Sequence, residues 1–300
     1  MSAARAGRPA RVDAGGRLRV TWLGHSTVVL DLAGPGGATT RLVTDPLLHR
    51  HAGLLRRRGQ RPAELAWKGA DAVLLSHLHH DHAELRSLRL LGDVPVLAAS
   101  SSARWLRGRG VRGVALEGAW VVAGRVETWR SGPWHDVGGV QVRLAPAVHG
   151  HRPMPHRPNA ATGHLVRLRG RGAGTGAGAA GPTVWAMGDT ERFGSMGRVR
   201  DLAGGRLDVA LVPVSGWGPR LSGGHLGPWQ AAEVCAEAGV GVAIPVHWGT
   251  LHAPGGRHLP RGWMDRAGDA FAAAAARVAP ATDVVVLRPG ESWAGEPQGW

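Results

Sequence analysis

Along this chain, short apolar runs repeatedly stop at a histidine or an aspartate. Leu42-Val43-Thr44 ends at Asp45, Ala72–Leu75 leads into Ser76-His77, Ala145–Val148 ends at His149, Val184–Gly188 at Asp189, and Ile244-Pro245-Val246 at His247. Runs this short and this continuously apolar suit strands buried on both faces, which requires other layers to cover the sheet. Open α/β sheets gather their ligands at the carboxyl ends of strands. Any one of these residues alone reads as readily as a turn aspartate or a satisfied core histidine. Together they put chelating side chains in one recurring structural context.

The rest of the chain supplies the layers. Leu18, Val20 and Trp22 alternate with Arg19 and Thr21, and Val28–Leu32 follows a turn at Gly24, so the chain opens on a hairpin. Val96–Ala99, Val140–Ala145, Leu165–Leu168, Val209–Val212 and Val284–Leu287 are further strand candidates. Ala231, Val234, Cys235 and Ala238 recur at helical spacing, with Pro228 near the start and Gly239 just past the end. A second helix is expected from about Gly262 to Val278, and shorter ones near 82–91 and 101–108. Gly170–Gly181, nearly devoid of packing side chains, reads as a flexible surface loop. The expected fold class is α/β, a four-layer αββα sandwich of two packed sheets with helices outside. Its boundaries are a disordered lead over 1–16, one domain over 17–290 and a tail over 291–300.

Composition narrows the chemistry. Cys235 is the only cysteine, so no intramolecular disulfide can form and a metal site must use His, Asp or Glu. A cytoplasmic, soluble protein is expected, because neither a signal-peptide stretch nor a membrane-length apolar run is present. The formal charge of +14 is almost wholly arginine, with Lys68 the single lysine. That balance favours anionic partners, and equally fits the arginine bias of a GC-rich coding sequence. Oligomeric state is not specified.

The densest chemistry is Ser76-His77-Leu78-His79-His80-Asp81-His82. Spaced H-x-H-x-D-H, a loop leaving a strand can aim His77 and His79 at one cation while Asp81 and His82 turn towards a neighbour. These motifs, in this order from residue 18 to about 250, resemble those of the metallo-β-lactamase superfamily. The resemblance implies that His77, His79 and His149 hold one divalent cation, that Asp81, His82 and His247 hold a second, and that Asp189 bridges them. Asp45 would accept a hydrogen bond from a ligand histidine and fix its tautomer. Such a pair of cations, about 3.5–4 Å apart, lowers the pKa of a shared water so that it can attack a phosphoryl or carbonyl centre. A His/Asp donor set suits zinc and admits manganese or iron.

More narrowly, Trp22-Leu23-Gly24-His25-Ser26-Thr27, Met187-Gly188-Asp189-Thr190 and Val246-His247-Trp248-Gly249-Thr250 resemble the branch of N-acyl-phosphatidylethanolamine phospholipase D-like and ascorbate-6-phosphate lactonase-like hydrolases. Trp217 stands where that branch has a tyrosine. The branch also has a histidine at the point matching His225, implying that His225 acts on the substrate and not as a ligand. The expected reaction is hydrolysis of a phosphodiester, phosphate ester or lactone in a small or lipid-like anionic substrate. A nuclease resembling ribonuclease Z is the alternative, favoured by the charge and by Arg56-Arg57-Arg58, although no specific nucleic-acid partner is expected. A non-enzymatic metal scaffold ranks third. Arg152 and Arg157 are candidates to grip a phosphate, or are ordinary solvated arginines. Trp134, Trp217 and Trp248 are candidates to line an apolar pocket, or are core residues, and His25 either faces the site or packs structurally.

Overall fold

A computed structural model describes residues 17–34, 37–123, 126–150, 156–158, 160–169 and 181–295. Arg152, the lead over 1–16, nearly all of the Gly170–Gly181 stretch and residues 296–300 therefore lie outside the described residues.

Two seven-stranded sheets stack face to face. The first runs Ser292–Gly295, Leu18–Gly24, Thr27–Ala33, Thr39–Thr44, Ala72–Leu74, Val96–Ala99, Gly113–Leu116. The second runs His135–Val137, Val140–Pro146, Thr162–Leu168, Thr183–Ala186, Leu207–Pro213, Val240–Val246, Asp283–Val284. In each sheet the first three pairings are antiparallel and the last three parallel, so the two halves repeat one topology.

Side-chain alternation assigns the layers. Val20, Leu30, Leu42 and Leu74 from one sheet meet Val142, Val166, Val209 and Ile244 from the other in the central core. Their chain neighbours point outward. Val73, Leu75 and Ala98 pack against Leu88, Trp105 and Leu106 of the helices Leu85–Leu90 and Ser100–Arg107. Ala210, Val212 and Ala243 pack against Ala231, Cys235 and Phe271 of Pro228–Ala238 and Ala267–Val278. Every residue of Leu207–Pro213 is buried, as strands covered on both faces require. The four layers are the αββα arrangement expected from the sequence.

The expected helix starting at Pro228 is present and stops at Gly239, whose φ of 64° is the left-handed conformation that ends helices. The expected helix from Gly262 is corrected: a 3-10 turn occupies Trp263–Asp265 and the α-helix is Ala267–Val278. The tail boundary at 291 is corrected too. Ser292–Gly295 pairs antiparallel with Leu18–Gly24 and buries Trp293 in the central core, because the outer edge of that strand is otherwise unpaired.

Candidate metal centre

The shared strand direction delivers the expected ligands. Leu18–Gly24, Thr39–Thr44, Ala72–Leu74, Val140–Pro146, Thr183–Ala186, Leu207–Pro213 and Val240–Val246 all end at one edge of the sandwich. His25, Asp45, the loop from Ser76 to His82, His149, Asp189, Ser215 and His247 follow those ends directly. The turn before Asp189 needs glycine. Gly188 has φ 66°, and a Cβ there would lie 2.7 Å from Cβ of Ser76 and 2.9 Å from the Thr162 carbonyl. Among the described residues three that are not glycine adopt positive φ, His25 at 53°, Asp45 at 36° and His247 at 63°, and all three belong to this edge.

The expected ligands come together in overlapping sets. His77, His79 and His149 have donor atoms within 4.8 Å of one another, as do Asp81, His82 and His247 together with His25. Asp189 joins them: Oδ2 lies 3.1 Å from Nε2 of His82 and 3.9 Å from Nε2 of both His77 and His149, and Oδ1 lies 3.1 Å from Nε2 of His247.

Donor and acceptor accounting tests whether cations fit. Nδ1–H of His82 donates to Asp45 Oδ2 at 2.8 Å, that of His149 to the Gly224 carbonyl at 2.7 Å, and that of His247 to the Ser215 carbonyl at 2.9 Å. Ser76 Oγ donates to Asp45 Oδ2 at 2.7 Å and so accepts from Nδ1–H of His77 at 3.0 Å. Each of these four rings thus spends its Nδ1 proton on an outer partner and turns an Nε2 lone pair inward. Nε2 of His77 and Oδ1 of Asp189 are buried with no hydrogen-bond partner. Converging lone pairs beside a carboxylate leave buried acceptors with no donor, a deficit that cations supply. The residues present fit a metal centre.

Electrostatics make the same demand. Burial opposes charge on Asp189 and Asp81, yet the surrounding imidazoles hold both carboxyls well below the usual range. Burial likewise works against protonating His82 and His247, but Asp189 and its neighbouring carboxylates outweigh it, raising His82 well above its ordinary value and His247 to about 9. A cation bound between these rings would take the place of those protons. His77 and His149, where burial wins, are lowered, His149 to about 4.

Asp45 is the outer-layer support of both sets. It reaches His82 directly and His77 through Ser76, and Ser76 N–H anchors its Oδ1 at 2.8 Å. Asp45→Asn is expected to weaken metal affinity by about 10–100-fold while the fold persists. Competition against a chromogenic chelator measures it, and unchanged affinity would remove Asp45 from this role.

His225 sits at the rim. Its Nδ1 contacts the carbonyls of Ser222 and Gly223, both at 3.2 Å, and its Nε2 lies 3.3 Å from Asp189 Oδ2.

The expected substrate contacts fare differently. His25 is wholly buried beneath the centre, where Nε2–H donates to Asp81 Oδ2 at 2.9 Å and its ring lies 4.0 Å from that of His247. Burial lowers it to about 3, and its hydrogen bond engages the Asp81 carboxylate. Trp248 stacks on Trp22 at 5.3 Å and presses on Gly268, which commits it to packing. Trp217 packs against Leu47, Ala52 and Leu251. Arg157 donates to the carbonyls of Leu78 and Ala83, bracing the metal loop. Trp134 lies under the guanidinium groups of Arg143 and Arg167.

A cavity of about 480 Å³ adjoins His149 and is lined by Trp120, Trp129, Ala147, Ala160 and Thr162 among others. Trp120 and Trp129 face each other across the hairpin of Gly118–Ala123 and Val126–Ser131, and Phe193 meets Trp120 edge-on at 5.3 Å. Neither tryptophan was among the expected contacts.

A family profile described as Beta-lactamase superfamily domain matches residues 40–248. The chain is 27% identical over 236 residues to a UPF0173 metal-dependent hydrolase of Rhizobium etli, covering 78% of this chain and 86% of the relative. It is 26% identical over 278 residues to a UPF0173 metal-dependent hydrolase of Thermococcus kodakarensis, covering 91% and 98%. Igni18, a metallo hydrolase from Ignicoccus hospitalis, superposes with a TM-score of 0.63 at 19% identity, over 93% of this chain and 98% of that one, a likeness of fold.

Proposed function

This chain belongs to the beta-lactamase superfamily as a metal-dependent hydrolase, and from that premise we propose that it holds two divalent cations, zinc first, and cleaves a phosphodiester, phosphate ester or lactone in a substrate with an apolar portion. The observation that carries the reading is the set of inward Nε2 lone pairs around both oxygens of Asp189. When bound, two such cations supply Lewis-acid polarisation of the scissile oxygen and a water acidified to near neutrality.

The chain's own residues do the rest. Asp189 sets Oδ2 among His77, His149 and His82 and Oδ1 beside His247, and Asp45 with Ser76 fixes the tautomers of His82 and His77. His25 orients Asp81 from below. His225, at the open rim, holds a proton at Nε2 when it is an imidazolium, placed to reach a leaving group. Trp120 and Trp129 receive the apolar portion beside His149 and exclude water there. The finer likeness to the phospholipase D-like and lactonase-like branch supports this bond type. The basic run Arg56-Arg57-Arg58 lends the nuclease alternative little, because Arg57 is buried on the Leu23 and Leu47 carbonyls and Arg58 pairs with Asp265 at 2.6 Å.

A turnover screen of zinc- and manganese-loaded protein against phosphodiester, lactone, thioester and RNA substrates tests the proposal. Phosphodiester or lactone cleavage that improves with apolar substituents is expected. Trp120→Ala should raise KM for the apolar substrates by about tenfold or more and leave the polar ones unaffected. Activity confined to thioesters or RNA would overturn the assignment.

A further inference from the structure

A second concavity, of about 960 Å³, lies against the outer side of the metal loop. Its lining includes Arg50, Arg61, Arg86, Arg89 and Arg157, with His80 of the metal loop and a single carboxylate, Glu84. That carboxylate is already engaged, accepting from the backbone N–H groups of Arg86 and Ser87 at the start of Leu85–Leu90. Among the described residues none of the five arginines forms an ion pair, and Arg50, Arg61, Arg86 and Arg89 are exposed. Like charges gathered on one concave surface repel one another and focus a field that concentrates anions.

We propose that this groove is a binding site for a compact small molecule carrying two or more phosphate groups, distinct from the metal centre. One dianion cannot answer five guanidinium groups spread around the groove, whereas a bisphosphate spans them with paired, charge-assisted hydrogen bonds. The volume is that of a small-molecule site. Single-stranded nucleic acid fits less well, since bases require aromatic platforms and, among the described residues, no aromatic ring besides histidine lines the groove. None of the expected metal ligands lines it either, yet Arg157 spans the two places: it grips the Leu78 and Ala83 carbonyls on either side of the loop and contacts His80 Nδ1 at 3.0 Å. An occupant therefore touches the back of the loop that carries His77, His79, Asp81 and His82. The site stands whether or not the proposed substrate class does.

The test is calorimetric titration of the full chain with fructose 1,6-bisphosphate, used as a weakly chelating probe, and with inorganic phosphate. Each is titrated into zinc-loaded and chelator-treated protein. One bisphosphate per chain is expected, bound at least about tenfold more tightly than phosphate and retained after metal removal. R50Q/R86Q should weaken it by about tenfold or more with metal content and turnover unchanged. Equal binding by variant and wild type, or loss of binding on metal removal, would overturn the site. Tighter, R50Q/R86Q-sensitive binding of an RNA oligomer that displaces the bisphosphate would overturn the ligand class.

Discussion

Replacing Asp189 by alanine is expected to cut the metal content of zinc- or manganese-loaded protein from two ions per chain to one or none. The expectation follows from position: its Oδ2 lies 3.1 Å from Nε2 of His82 and its Oδ1 the same distance from Nε2 of His247, while His77 and His149 stand 3.9 Å from Oδ2. Its Oδ2 therefore lies among members of both expected ligand sets. Losing an outer-layer partner of a metal typically costs about 10–100-fold, so losing the shared carboxylate should exceed that and lower turnover by more than about 10³-fold. Removing it also leaves His82 and His247 without the carboxylate that raises them, so the metal-free variant should bind fewer protons near neutrality. Elemental analysis and turnover decide the matter. A variant that keeps two ions and hydrolyses the best substrate normally would show that Asp189 does not bridge.

His225→Ala is expected to retain both cations and its thermal stability while losing about 10²–10⁴-fold in kcat. The ring is held by carbonyl contacts at Nδ1, which fixes its orientation and leaves Nε2 facing the centre. It packs against the rings of His149 and His247, at 4.8 and 5.5 Å, on the side where the cluster is open. The same geometry groups His225 with His149 and Asp189 as donors within 4.8 Å. Metal content separates the roles. Loss of an ion makes His225 a ligand, and full turnover makes it a bystander.

The layers were legible because hydrophobic pattern and layer are the same information. A run such as Val209–Val212 is continuously apolar because it is covered on both faces, and Leu18, Val20 and Trp22 alternate because one face meets the central core. The gathering of His77, His79, Asp81, His82, His149, Asp189 and His247 was legible for a related reason: strands of one direction share an edge, so residues just past their ends must be neighbours.

What could not be read depends on contacts that leave no periodic trace. His25 is 222 residues from His247, yet its carbonyl accepts the His247 N–H at 2.9 Å, and only the fold shows that this buries the imidazole beside Asp81. Trp248 adjoins a ligand in sequence, but a strand end turns sharply, and its ring goes back into the core against Trp22. The Trp120 and Trp129 pair belongs to a hairpin whose two strands, among the described residues, pair with neither large sheet. Its one available signal was the apolar run Gly118–Ala123 meeting Gly124-Arg125. The arginine groove draws on Arg50, Arg61, Arg86, Arg89 and Arg157, which are scattered along the chain and gathered only by the fold.

The left-handed turns at His25, Asp45 and His247 set stability and chemistry against each other. Each such backbone costs on the order of 1–3 kcal/mol for a residue with a side chain, and glycine would adopt it without that cost. Glycine at any of the three would relax the fold and at the same stroke delete a ligand or the group that orients one. Stabilising variants of this protein must therefore come from elsewhere in the chain, since random screening for heat resistance alone should enrich substitutions at these turns among its inactive survivors.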